Sequence, residues 1–392
     1  ITLGRTERLD DLLTFGGSNA RLQRSVLHLV TSSHRCMCSP GSEGAQRPIR
    51  VSLSNSSPSL VEPDLRGWQI GRERLVGSFK LLCQGTFGPI YQGQLAPIGE
   101  GKERPVVLKE LNASADRSQA QQFLARGKFH VLLGSHPNIV EFLGSSSDRS
   151  PLYLVLGHMN RGCLLHFLWT CRKVPGAGFS VAGGSAEPYR ERWRRRERRS
   201  RDLRARHVGR PLQNFLHSQG LVHGDVAARN LLIQDDLHVR LTGLQIPFEI
   251  QRLGLVTSHH NVPLKWQAPE TLMRKPLTPY SDTWSFGVLL YELITLGSPP
   301  YPDVAPSSIL QYLQRGRRMP QPPNCKSPLY SVMKQCWQWR FEARPSALEL
   351  RKRLLTQLER ANNSVVLRVA TRVEPEEYHG LAGTWALDYT VL

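Results

Sequence analysis

The segment His223-Gly224-Asp225-Val226-Ala227-Ala228-Arg229-Asn230 constrains this chain more than any other stretch. Asn214-Phe215-Leu216 and Gly220-Leu221-Val222 precede it and Leu231-Leu232-Ile233 follows, the pattern of a loop held between a helix and a short strand. Asp225 and Asn230 are five positions apart, so both can face one cavity. One is then oriented toward an acceptor hydroxyl and the other toward a metal ion. A chance loop between two core elements is the plain alternative, and the motifs described below weigh against it.

Composition narrows the class. The 392 residues are 40% hydrophobic, enough for a sizeable core and two or three domains. The net charge of +19 would suit a nucleic acid or an anionic surface. Residues 187–210, however, carry eleven arginines against four acids, so seven of those charges sit in one short segment. The remainder is spread without aromatic interleaving or a nucleic-acid motif, and no nucleic-acid partner is expected. Seven cysteines, at 36, 38, 83, 163, 171, 325 and 336, are odd in number and scattered, which reads as reduced thiols. No run approaches the ~18 apolar residues of a membrane span. The chain opens on Ile1 rather than Met, which predicts further sequence upstream.

Residues 223–230 resemble H-R-D-L-A-A-R-N, the catalytic loop of protein tyrosine kinases, and the Ala-Ala-Arg matches the tyrosine-specific form. Gly224 stands where that family carries Arg. Pro263-Leu264-Lys265-Trp266-Gln267-Ala268-Pro269-Glu270 resembles the substrate-docking segment and A-P-E. Asp282-Thr283-Trp284-Ser285-Phe286-Gly287 resembles the buried helix whose Asp braces the catalytic loop, and Glu270 is expected to pair with Arg344. The resemblance implies an α+β, two-lobed protein kinase fold, with a small β-rich lobe and a large helical lobe, over residues 67–358. Residues 1–66 read as a linker expected to be disordered, 174–210 as a basic, irregular insert, and 359–392 as a C-terminal tail.

Residues 82–93 read as strand, glycine turn, strand, which an ordinary β-turn explains as well as a phosphate cradle does. In register with a kinase they resemble the glycine-rich loop. That implies Cys83, Gly85, Gly88 and Ile90 around the nucleotide, with Cys83 replacing the first glycine. Lys109 ends the apolar run Val106-Val107-Leu108, a place where a lone lysine is usually a solvated edge residue. The resemblance implies instead that Lys109 holds the α- and β-phosphates, with Val107 against the adenine and Met159 in the hinge. Asp225 then serves as the base and Asn230 as a metal ligand.

Two departures bear on chemistry. Counting back from Gly134-Ser135-His136-Pro137-Asn138, the family's helix Glu, partner of the strand lysine, falls at Arg126. Two cations ~4 Å apart repel by ~4 kcal/mol at an effective dielectric of about 20, so Arg126 is expected to point elsewhere. Gly243 stands where the D-F-G aspartate would chelate the phosphate-bound Mg²⁺. These residues imply weak ATP binding, impaired Mg²⁺ binding and a tyrosine-kinase-like signalling scaffold; the alternative is an active ATP-dependent tyrosine kinase. Residues 246–262 hold no Tyr, which leaves Thr257 and Ser258 as sites for modification. Tyr378, amid Glu374, Glu376 and Glu377, and Tyr389, behind Asp388, lack a sustained apolar period around them. Both are expected outside the fold, as docking points for phosphotyrosine-binding adaptors. The nearest resemblance is to a receptor-like branch lacking a large ectodomain. It implies membrane association through a segment upstream, a cytoplasmic kinase domain, protein substrates or adaptors as partners, and growth and survival signalling.

Overall fold

The computed structural model describes residues 65–172, 212–236, 238–253, 263–323, 325–360, 373 and 375–382. The linker up to residue 64, the insert 174–210, Thr257, Ser258 and Tyr389 lie outside the described residues.

The small lobe is built from β1 (Leu75–Gln84), β2 (Pro89–Leu95), β3 (Arg104–Glu110), α1 (Arg117–Leu133), β4 (Phe142–Ser146) and β5 (Tyr153–Gly157). The strands make one antiparallel sheet in the order β1-β2-β3-β5-β4. Its register sets Ile90 opposite Lys109 and Val107 opposite Leu156. Asp116 starts α1 with a capping box: its Oδ1 accepts from Gln119 N at 2.7 Å, and Gln119 Oε1 accepts from Asp116 N at 3.0 Å. Such a cap is worth about 1 kcal/mol. The buried face of α1 is Phe123, Gly127, Phe129, His130 and Leu133. Leu132, which the apolar pattern would bury, is exposed. It lies about 200° around the helix from His130, on the solvent side.

The helical lobe contains α2 (Leu164–Thr170), α3 (Leu212–Ser218), the hairpin β6 (Leu231–Ile233) and β7 (Val239–Leu241), and α4 (Gln245–Leu253). It continues with α5 (Pro269–Leu272), α6 (Pro279–Ile294), α7 (Ile309–Gln314), α8 (Ser327–Cys336), α9 (Ala347–Arg360) and α10 (Pro375–Ala382). Every residue of α6 from Ser281 to Ile294 is buried, so this helix is the axis of the lobe. Beside it Arg344 donates from Nη1 and Nη2 to the two oxygens of Glu270, each at 2.7 Å, the pairing the sequence predicts. Among the described residues Cys83, Cys163, Cys171, Cys325 and Cys336 form no disulfide. Among the described residues no helix is long and apolar enough to cross a membrane.

Candidate functional site

Two carboxylates of α6 fix the loop 223–230. Asp282 accepts from the backbone N–H of His223 at 2.9 Å and of Gly224 at 2.7 Å. Glu292, ten residues and about 15 Å further along α6, accepts from Ala228 N at 3.0 Å. Between these anchors Asp225 Oδ1 accepts from Arg229, and Oδ2 accepts from Asn230 Nδ2 at 2.7 Å. Asn230 Nδ2 also reaches the Asp225 carbonyl at 2.7 Å. Arg229 lies over Trp266, 4.5 Å from the ring centroid. Burial opposes its charge, but Asp225, Tyr378 and Glu292 together raise its pKa. The fold thus brings Asp225 and Asn230 together, and Thr242 N, donating to Asn230 O at 2.8 Å, sets Gly243 beside them.

Gly243 has φ +75°, and a Cβ there would meet Asn230 Cγ at 2.8 Å and Oδ1 at 2.9 Å. Asn230 therefore fills the space from which a carboxylate would reach a metal. A nucleotide-bound Mg²⁺ is ordinarily held by one or two carboxylates together with the phosphates; here Asp225 and Asn230 remain side by side, and no carboxylate stands at 243.

Lys109 and Ile90 are buried on the sheet, Met159 is buried after β5, and Cys83 and Val107 are half-buried. The glycine turn closes on itself, with Gly85 N donating to Gly88 O at 2.8 Å. It also folds onto the end of β3: Asn112 N donates to Phe87 O at 2.7 Å, and a Cβ at Gly88 would meet Glu110 O at 2.6 Å. Phe87 stands edge-on to Phe123, centroids 5.7 Å apart.

Arg126 packs against two aromatic rings. Its guanidinium is held between the rings of Phe87 and Phe248, 5.0 Å from each centroid. Burial lowers its pKa to about 10, with Glu249 opposing. Phe248 belongs to α4, buries its ring edge-on to Phe129 at 5.7 Å, and is flanked by buried Ile246 and Pro247. Ile246 in turn packs on Gly224, where a Cβ would meet Ile246 Cδ1 at 2.7 Å. The absence of a side chain at 224 is what lets α4 lie against the loop 223–230. His130, one turn beyond Arg126, stacks on Phe142 at 5.6 Å. Burial first, and then Lys109 and Arg126, lower its pKa to about 3, so the ring is neutral.

The expectation for Tyr378 is overturned. It is fully buried, with its ring edge-on to Trp169 at 5.6 Å and to Trp266 at 5.4 Å. Its Oη donates to Glu292 Oε1 at 2.6 Å. The surrounding sequence lacks an apolar period because one aromatic anchor, rather than a stripe, holds the short α10. A phenol in this position is closed to a second kinase and to an adaptor.

Residues 77–354 match the family described as protein tyrosine and serine/threonine kinase. The chain belongs to that kinase family. It is 40% identical over 343 residues to Tyrosine-protein kinase STYK1 of Homo sapiens, a match covering 86% of this chain and 77% of that protein. The protein of the same name from Mus musculus is 38% identical over 345 residues, 86% of this chain and 76% of that one. Fibroblast growth factor receptor 1 of Pleurodeles waltl is 32% identical over 335 residues, 80% of this chain and 38% of the receptor. The kinase-family motifs gave Asp225, Asn230, Lys109 and the departures at Gly243 and Arg126. The roles of Phe87, Arg229, Phe248, Glu292 and Tyr378 were not drawn from them. For Arg229 a signal existed in its place four residues after Asp225; for Phe248 and Tyr378 only the tertiary contacts reveal the partner.

Proposed function

We propose that this kinase-family chain is a tyrosine-kinase-like signalling protein whose phosphotransfer is weak or absent and which acts chiefly as a scaffold. The observation that carries this reading is Gly243 itself, which brings no carboxylate to the place of the metal-binding one and whose Cβ position the Asn230 side chain crowds, with Cγ at 2.8 Å. Phosphoryl transfer depends on the metal to neutralise developing charge, so its loss removes the larger part of the catalytic power. Arg126 supports the same reading: a cation held between Phe87 and Phe248 replaces the carboxylate that would face Lys109. ATP would be held by Lys109, Ile90, Val107, Met159 and the turn 85–88, and weakly. Partners are protein substrates or adaptors, with Tyr389 as a site for phosphotyrosine-binding ones. Membrane association through an upstream segment, and a role in growth and survival signalling, belong to the same proposal. They rest on the likeness to receptor-type and related tyrosine kinases.

The alternative, an active ATP-dependent tyrosine kinase, draws on the intact Asp225–Asn230 pair and on buried Lys109. Two measurements separate the readings. In a thermal-shift titration, ATP should stabilise the protein slightly and equally with and without Mg²⁺. Turnover on a poly-Glu/Tyr substrate should stay at background in the wild type and in Asp225→Asn. Mg²⁺-dependent stabilisation together with turnover abolished by Asp225→Asn would reject the scaffold.

A further inference from the structure

We propose that Tyr378 is a positioning residue for the catalytic loop, and that α10 is the strut that carries it there. One carboxylate joins the two: Glu292 accepts from Tyr378 Oη through Oε1 at 2.6 Å and from Ala228 N through Oε2 at 3.0 Å. Ala228 lies three residues past Asp225, and its neighbour Arg229 bonds Asp225 and stacks on Trp266, the ring that also meets Tyr378. The phenol therefore touches the loop's support from two sides, through Glu292 and through the Trp266–Arg229 stack.

The strength of the link follows from its surroundings. Glu292 and Tyr378 are both fully buried, and a hydroxyl donating to a carboxylate away from water is stronger than a neutral bond. Without the phenol O–H, Glu292 keeps a buried oxygen with one donor fewer, which favours its protonation and weakens its hold on Ala228. An eight-residue helix does not persist alone in water, so α10 is placed by this docking rather than by its own propensity. The inference does not rest on the scaffold reading, because the Glu292–Ala228 bond exists whether or not phosphate is transferred.

Hydrogen exchange on the full chain, without nucleotide, tests it. Tyr378→Phe keeps the ring and removes only the donor. Exchange of the peptide spanning residues 221–231 should rise on the order of tenfold, while strands β1–β5 keep wild-type rates. Adding Tyr378→Phe to Glu292→Gln should cause little further rise, because the shared carboxylate is already altered. Unchanged exchange at 221–231 in Tyr378→Phe, an equal rise across both lobes, or full additivity with Glu292→Gln would each overturn the proposal. Wild-type protein supplies an independent check: tetranitromethane should spare Tyr378, and nitration there at the rate of the urea-unfolded chain would also overturn it.

Discussion

Gly243 shows how a single missing side chain has been built into its surroundings. Its φ of +75° and the 2.8 Å approach of Asn230 mean that returning an aspartate is not a simple repair. A β-carbon in the left-handed region costs about 1–2 kcal/mol, and Asn230 must also move away from Asp225. Gly243→Asp is expected to lower the melting temperature and leave poly-Glu/Tyr turnover at the wild-type level; restored turnover at unchanged stability would contradict this geometry. His130 gives a second residue-scale outcome. Its folded pKa is about 3 against an ordinary 6.5, so between those values the unfolded chain binds a proton that the folded ring refuses. Stability must therefore fall as pH drops through that window, by up to about 1.4 kcal/mol per pH unit. Urea midpoints between pH 7 and pH 5 should fall more steeply for the wild type than for His130→Leu, and parallel curves would exclude a neutral buried His130. The departures at Gly243 and Arg126 are legible in the sequence, because each breaks a motif at a fixed offset. Where Arg126 goes is not legible, since Phe87 and Phe248 reach it from distant parts of the chain.

At the scale of elements, α4 changes the character of the cleft. The residues Ile246-Pro247-Phe248-Glu249-Ile250 alternate like a strand, and a proline among them argues against a helix interior. The structure nonetheless places them in a helix, because Pro247 falls in the first turn, where its missing N–H has no helical partner to lose. Phe248 and Ile246 then dock on α1 and on Gly224, contacts that no local pattern reveals. The strand-turn-strand of β1 and β2 and the long α1 were legible for the opposite reason, since period and caps are local. If Phe248 holds α4 in place, Phe248→Ala should cost about 3–5 kcal/mol and speed hydrogen exchange across residues 245–253. Arg126→Ala should cost less, and the double variant should fall short of the sum, since both remove one contact. Strict additivity would mean that Arg126 and Phe248 do not support one another.

Across the whole molecule, the departures from the family fall in both lobes: Cys83 and Arg126 in the small lobe, Gly224 and Gly243 beside the loop 223–230 of the helical lobe. The helical lobe nonetheless keeps the buried pair Glu270–Arg344. Burial alone would raise the pKa of Glu270, but Arg344 outweighs that and lowers it, with Ser281 Oγ donating to the same carboxylate at 2.9 Å. A carboxylate with a lowered pKa contributes stability that is present above its unfolded value and lost as pH falls through the folded one. Arg344 is itself 3% exposed, so removing either partner strands a charge in the interior. Arg344→Met is therefore expected to cost about 3–5 kcal/mol, while Glu270→Leu with Arg344→Met should recover much of that loss, because neither charge remains. Lys109→Ala, in the other lobe, should leave the helical lobe's exchange protection unchanged. Hydrogen exchange of α6 and α8 in the three variants, with urea midpoints beside it, reads both statements at once. If Lys109→Ala loosened α6 as much as Arg344→Met does, the helical lobe would not be the independent platform that a scaffold requires.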